Sequence, residues 1–460
     1  MVIISIYKNI VNKQKEFFNS GLTKNYHFRI KALKKLKQAI IKYEKDISNA
    51  LLLDLGKSSN ESYLTEIGMV LSELNFHIKK LKKMMKPQKV KTPLFLFPAK
   101  SYIYKEPYGN VLIISPWNYP FLLSINPLIG TISAGNTVII KPSEFSVHTS
   151  NLLEKIIKES FDEIYITVIL GEAKETNLLL NEKFDYIFFT GSPKVGKIVM
   201  EKASKQLTPI TLELGGKSPA VITKDANLKL SAKRLAFGKT INAGQTCIAP
   251  DYLLIEESLV DDFINEYKNN INEFYNNDPL NNINYPKIIN NDHFERLIDL
   301  IKHENIIYGG NYNKDNNKLE PTLVLINNKE IKLMQEEIFG PILPIITFKE
   351  IEEVYNYINN KEKPLAAYIF SNNKKTQKSF IENISAGGIV INDTIMHFAN
   401  NYLPFGGVGN SGIGKYHGIE SFKTFSHNKS ILNRKMWLDL KIRYQPINNK
   451  DIKVIKKVLK

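Results

Sequence analysis

Between residues 29 and 55 the apolar positions Ile30, Leu33, Leu36, Ile40, Ile41, Ile47 and Leu51 recur at helical spacing with lysines between them, which predicts one or two amphipathic helices. Residues 61–86 carry the same period. Pro87 and Pro93 break it, and the aromatic, β-prone run 95–104 predicts an exposed hairpin. The pattern then changes to short continuous apolar runs at 110–115, 137–141, 165–170 and 185–190, each followed by a turn and a helical pattern. Strands buried on both faces and alternating with helices are the mark of a parallel sheet. A second set follows Glu213, at 220–223, 252–255, 322–325, 366–370 and 388–392, so two α/β domains are the natural partition. The Asn-rich stretches 276–291 and 311–317 read as loops.

Composition narrows the class. A chain of 460 residues exceeds the size at which one core keeps growing, so two or three domains are expected, and 43% hydrophobic with 23% charged residues is the balance of a soluble globular protein. The single cysteine excludes an internal disulfide and a cysteine-built zinc site, and the eight histidines show no paired ligand spacing, so no metal is expected. The net charge of +16 is mostly dispersed, as on a solvated lysine-rich surface, and no nucleic-acid module accompanies it, so no nucleic-acid partner is expected. The run 1–6 is too short for a signal core and no run approaches the ~20 apolar residues of a membrane helix, which makes cytoplasmic residence the expectation. The tail is the exception. Ile452, Ile455, Val458 and Leu459 fall at helical spacing with Lys453, Lys456, Lys457 and Lys460 between them. That pattern fits packing near a dimer surface and, as the sharper alternative, weak salt-sensitive contact with anionic lipid.

Candidate chemistry concentrates at two places. Cys247 closes Asn242-Ala243-Gly244-Gln245-Thr246-Cys247, and Glu213 opens Glu213-Leu214-Gly215-Gly216-Lys217-Ser218-Pro219. A lone cysteine is more often a buried hydrophobe, but here a nucleophile and a candidate base both stand beside glycines that let backbone approach a ligand. Phe189-Thr190-Gly191-Ser192-Pro193-Lys194-Val195-Gly196-Lys197 follows a buried strand and opens a helix, where free N–H groups bind phosphate oxygens. Gly407-Val408-Gly409-Asn410-Ser411-Gly412 fits a dinucleotide fingerprint in letters only, since no strand precedes it. Gly409 to Lys415 mimics a triphosphate loop but lacks the following hydroxyl, Tyr416 standing there, so this segment is assigned to a loop near the active site. No G-x-S-x-G elbow supports serine hydrolysis.

Seven motifs in order resemble those of the aldehyde dehydrogenase superfamily: Pro116-Trp117-Asn118-Tyr119-Pro120, Lys141-Pro142-Ser143-Glu144, Phe189-Thr190-Gly191-Ser192, the Glu213 motif, Gly244-Gln245-Thr246-Cys247, Glu336-Glu337-Ile338-Phe339-Gly340-Pro341 and Leu403-Pro404-Phe405-Gly406-Gly407. The residues after Cys247 and the stretches 405–417 and 421–427 resemble the class 3 branch. The resemblance implies oxidation of aliphatic or aromatic aldehydes, often medium or long-chain, by a homodimer using NAD or NADP. It implies an α/β fold with a Rossmann-type cofactor domain at 1–86 and 107–212, a catalytic domain at 213–421, a β bridging and oligomerisation element at 87–106 and 422–435, and a basic tail at 436–460. It assigns Cys247 as nucleophile, Asn118 with the Cys247 N–H as oxyanion hole, and Glu213 as general base for thioester hydrolysis. Lys141 and Glu144 would grip the adenosine ribose, Gly191, Ser192 and Gly196 the pyrophosphate, and Glu337 and Phe339 the nicotinamide ribose. Trp117 joins the cofactor set and, with 396–398, is expected to line the aldehyde funnel, while His397 is expected to be a packing or surface residue and not a catalyst. A carboxylate at Glu144 repels a 2′-phosphate, which favours NAD, although class 3 enzymes with this glutamate also accept NADP. A CoA-acylating or acyl-phosphate relative would share the cysteine, but such enzymes usually lack the glutamate of the Glu213 motif. A non-catalytic basic binder of nucleic acid or membrane rests on charge alone.

Overall fold

The computed structural model describes residues 2–459; Met1 of the apolar run 1–6 and Lys460 of the basic tail lie outside the described residues. The first parallel sheet starts at its middle. Asn110–Ile114 and Thr137–Lys141 are buried at every position, as their continuous apolar runs require, and pair in parallel. The chain adds Ile166–Val168 on that side, then crosses to the opposite side of Asn110–Ile114 with Tyr186–Gly191 and Ile210–Leu214. This reversal of direction is the topological switch point at which open α/β sheets bind ligands, beyond the carboxyl ends of the strands. The strand Gly412–Ile413 returns antiparallel to close the far edge.

The second sheet has seven strands, in spatial order Ile306–Tyr308, Thr322–Leu325, Ile342–Phe348, Tyr252–Glu256, Pro219–Ile222, Ala366–Phe370 and Gly388–Ile391, all parallel except the first. A third, antiparallel sheet joins Gln88–Val90, Ala99–Pro107 and Ser426–Arg434, the last two in unbroken register from Ser426 opposite Pro107 to Arg434 opposite Ala99.

Several elements depart from the sequence pattern for physical reasons. The stretch 29–55 does follow it, as two helices, Tyr26–Lys42 and Glu44–Leu55. Helix through 59–84 is interrupted by a π-helical turn at Tyr63–Ile67. The aromatic run 95–104 is not all strand. Leu94–Leu96 forms a 3-10 turn, and Pro93 and Pro98 lack the N–H a ladder needs. The sequence pattern also missed Ile210–Leu214, because Thr211 and Glu213 interrupt its apolar run although both are buried. Ile342–Phe348 was hidden by Pro344, a residue that argues against an interior strand. The helix Val2–Asn19 went unread as well. At the other end, none of the residues of the helix Asn449–Val458 is buried. Among the described residues no helix is long and apolar enough to cross a membrane.

Candidate active site

Four segments converge on one cavity of about 240 Å³. Glu213 reaches it from the strand Ile210–Leu214, and Thr190, its register partner, from the adjoining strand. Gly412 faces Glu213 from the other side, so the glycine-rich segment after residue 405 packs directly on the site, and Phe405 and Tyr416, bridged to each other, join the lining. Cys247 enters from the turn after Ile241–Gly244. The remaining walls are mainly apolar and aromatic, with Leu122, Phe237, Ile395, Met396 and Phe398 among them.

The turn before Cys247 is strained and heavily tied down. Asn242, Ala243 and Gly244 all have positive φ, at 51°, 50° and 73°. Non-glycine residues in this region cost of order 1–3 kcal/mol each and persist only where their surroundings over-determine them. Here Glu61 Oε1 accepts the Asn242 N–H at 2.7 Å, and Asn242 Nδ2 donates to the carbonyls of Asn118 at 2.8 Å and Gln245 at 3.0 Å. The Gln245 side chain donates to the carbonyls of Asn242 and Lys287 and accepts from Ile289 N–H, each at 3.0 Å. A Cβ at Gly244 would stand 2.3 Å from the Gly340 carbonyl oxygen, so this position requires glycine. Asn118, in the loop after Asn110–Ile114, donates one amide hydrogen to the Gln245 carbonyl at 3.0 Å and retains a second. Tyr119 OH and Thr246 Oγ1 are 2.6 Å apart and complete the tie between the two segments.

Burial controls the protonation states. It raises the Cys247 thiol well above its ordinary range, and the nearby carboxylates of Glu337 and Glu213 push the same way. Burial likewise raises Glu213 far above the usual carboxylate range, and neither of its oxygens has a partner. Glu337 is pushed to about 8 by burial and by Asp251, against the Gly216 N–H, Lys217 and Arg296, which lower it. Its carboxylate lies against Gly215, where a Cβ would come within 2.0 Å of Oε2. Burial thus favours the thiol at Cys247 and the protonated carboxyl at Glu213, and nucleophile-and-base chemistry requires both to ionise.

Beside this cavity lies the switch-point crevice. Ser192 caps the helix Pro193–Ser204, accepting from Val195 N–H at 3.4 Å, and leaves the Lys194 N–H of its first turn without a partner. A Cβ at Gly196 would stand 2.7 Å from Leu214 Cδ2, which is the close helix-to-strand approach that dinucleotide sites use, and a Cβ at Gly191 would meet the Phe189 ring at 2.6 Å. Lys141 is buried, with Nζ donating to the carbonyls of Pro142 at 2.8 Å and Gly171 at 2.6 Å; Glu144 is half-buried three residues on. Thr190 Oγ1 is buried without a partner. These groups fit a dinucleotide: a helix N-terminus that could take phosphate oxygens beside a buried hydroxyl with no partner.

The site differs from the sequence expectation at its aromatic side. Trp117 does not line the aldehyde cavity; its ring packs against Phe339 at 5.3 Å and His293 at 4.9 Å, and Phe145 faces His293 at 6.4 Å. His293 and Phe145 carried no sequence signal, because one comes from the first turn of the helix Asn291–Ile301 and the other from the loop before the helix Val147–Ser160, and they meet only in the fold. Met396 and Phe398 line the cavity, whereas His397 packs near Phe405 and Tyr368 with both ring nitrogens unpartnered, and burial with nearby His417 lowers it to about 4. Among the described residues no cluster of three or more ligating side chains could hold a metal.

The aldehyde dehydrogenase family model matches residues 7–431. The 4,4'-diaponeurosporen-aldehyde dehydrogenase of Staphylococcus aureus is 48% identical over 438 residues, 95% of each chain. The dimeric NADP-preferring aldehyde dehydrogenase of Mus musculus is 44% identical, over 96% of this chain and 98% of its own. Among solved structures, the substrate-bound state of Staphylococcus aureus AldH superposes with a TM-score of 0.97 at 47% identity, covering 98% of this chain and 99% of that one.

Proposed function

The chain belongs to the aldehyde dehydrogenase family and oxidises aldehydes to carboxylic acids with NAD(P), and from that premise we propose how its residues divide the reaction. Cys247 Sγ, as thiolate, attacks the aldehyde carbon. The oxyanion that forms is held by the free Asn118 Nδ2 hydrogen and the Cys247 backbone N–H. When bound, NAD(P) accepts the hydride that leaves this carbon. The acyl group then stays on Cys247 as a thioester, and Glu213 takes a proton from the water that cleaves it. Glu337 and Phe339 orient the nicotinamide ribose, with Trp117 behind Phe339. Lys141 and Glu144 hold the adenosine ribose, and Gly191, Ser192 and Gly196 the pyrophosphate. Glu144 sets NAD ahead of NADP by repelling a 2′-phosphate.

The observation that carries this reading is the meeting of Cys247 and an unpartnered, buried Glu213 in one apolar cavity. It favours hydrolysis over transfer of the acyl group to CoA or phosphate, because a carboxyl aimed at that cavity has water as its natural partner. The apolar walls support medium or long-chain aliphatic or aromatic aldehydes, in keeping with the diaponeurosporen-aldehyde relative. We assign residues 1–86 and 107–212 to cofactor binding, 213–421 to catalysis, and 87–106 with 422–435 to a homodimer contact, in a cytoplasmic enzyme. Rapid mixing tests the division. Glu213→Gln should keep a burst of reduced cofactor and slow steady-state turnover by roughly 10²–10⁴-fold, whereas Asn118→Ala should slow the burst itself by roughly 10²–10³-fold. Unimpaired turnover in the Glu213 variant overturns its role. Lipid contact through the tail has its support in the uncovered helix Asn449–Val458, and equal vesicle co-sedimentation by the full chain and one ending at Asn449 removes it.

A further inference from the structure

Beneath the loop that carries Asn118 lies a charge pair that the chemistry above does not use. Lys57 and Glu66 are both fully buried and meet at 2.6 Å from Nζ to Oε1. The ammonium sits 4.0 Å over the Tyr119 ring and also donates to the Asn118 carbonyl at 3.3 Å. The other carboxylate oxygen accepts the N–H groups of Phe121 and Leu122, each at 3.0 Å, where the helix Leu122–Ala134 begins. The pair thus grips the 118–122 loop at both ends. From the opposite side, Asn242 Nδ2 takes the same Asn118 carbonyl, and Asn118 Nδ2 reaches the Gln245 carbonyl.

A buried ion pair is poor evidence for stability, because apolar replacements of like volume are often neutral or better. Its geometry here does something an apolar pair cannot. Both lone-pair directions of the Asn118 carbonyl are occupied, by Lys57 and by Asn242, so the peptide plane is fixed and with it the direction in which the Asn118 side chain leaves the backbone. Glu66 itself is delivered by the π-helical turn Tyr63–Ile67, which also brings Leu64 and Thr65 to the cavity wall. We propose that the Lys57–Glu66 pair is a positioning device for the oxyanion site, clamping the Asn118 loop onto the strained turn that presents Cys247. The clamp rests on the reading of Asn118 as oxyanion donor, a role that demands placement within about 0.5 Å.

The test is a double-mutant cycle on the full-length enzyme. Lys57→Met with Glu66→Gln removes both charges of the pair and keeps an amide oxygen for the Phe121 and Leu122 N–H groups; Lys57→Met alone is the companion. Single-turnover formation of reduced cofactor should slow roughly ten- to hundred-fold, less than loss of a whole oxyanion donor. Cofactor affinity by fluorescence titration should stay as in the parent, and aldehyde deuterated at the reacting carbon should show an undiminished isotope effect on the slowed step. In an Asn118→Ala background the pair variant should add no further loss, since a device acting through Asn118 has nothing left to position. A pair variant as fast as the parent, or a loss that multiplies with that of Asn118→Ala, overturns the clamp. A silent Asn118→Ala overturns the oxyanion reading, and the clamp with it.

Discussion

Two segments flanking the cavity hold non-glycine residues in left-handed conformations, and they are secured by different means. At 242–245 the turn is tied by hydrogen bonds to three separate parts of the chain, at Glu61, Asn118 and residues 287–289. At 392–399 Asn392 and Ile395 have φ of 58° and 49°. Anchors hold the first part: Asn392 exchanges hydrogen bonds with Ser371, and Thr394 Oγ1 donates to the Arg234 carbonyl at 2.8 Å. Beyond Thr394 the backbone bonds of Phe398 to Ile395 and of Asn400 to His397 stay within the segment, which is otherwise packed by rings. Met396 is about half exposed, at 49%, and lines both the catalytic cavity and an outer groove with Phe76 and Tyr402. Where bond-making geometry matters, strain is locked by directional bonds. Where only shape matters, packing suffices, and side chains there can change at small cost.

The contrast breaks most sharply at the nucleophile. Cys247→Ala should reduce aldehyde oxidation to background, since the chain has no other thiol, while fluorescence titration still reports cofactor binding. Gly244→Ala comes next, because it sets a Cβ against the Gly340 carbonyl at φ +73°. A strained position of this kind costs of order 1–3 kcal/mol. Turnover should fall at least roughly tenfold, one decade for each 1.4 kcal/mol lost at the transition state, with a lowered melting temperature in calorimetry.

Glu337→Gln probes electrostatics at the same thiol. The Glu337 carboxylate disfavours the neighbouring thiolate, so its removal should lower the pH at which Cys247 reacts with iodoacetamide. With Glu337 titrating near 8, the gap between variant and parent should open above that pH, where the parent carries the extra negative charge, and close below it, where both are neutral. Rates that coincide at high pH would remove Glu337 from the thiol's surroundings. The smallest effect belongs to the other segment. Met396→Ala should leave turnover of a short aldehyde unchanged, alter kcat/KM for bulky aldehydes severalfold, and keep stability within about 0.5 kcal/mol by thermal unfolding.

The motifs that resemble the family were legible because each couples a reactive group to glycines or prolines that few other structures require, as at Gly244 and Gly215. Continuous apolar runs exposed most strands of both sheets, whereas Ile342–Phe348, broken by Pro344, and the three-residue Ile306–Tyr308 escaped. The strand Ile210–Leu214 stayed hidden for the reason it matters: it buries Glu213. Lys57 and Glu66, nine positions apart, look like solvent charges in sequence, and only the fold makes them interior, with the Tyr119 ring against the Lys57 ammonium. His293 and Phe145 were illegible for a similar reason, since a ring contact between a loop and a helix far downstream leaves no period along the chain.

The strand that carries Glu213 is finished by Gly412 and Ile413, which are translated long after it. During synthesis the first sheet can assemble its five parallel strands soon after residue 214 emerges, yet its outer edge stays open until the chain is nearly complete, and pairings of such long sequence separation form late. A nascent or prematurely released chain therefore presents a formed nucleotide crevice beside an unclosed strand edge, which is the surface a chaperone would have to cover and the point at which a truncated product would aggregate.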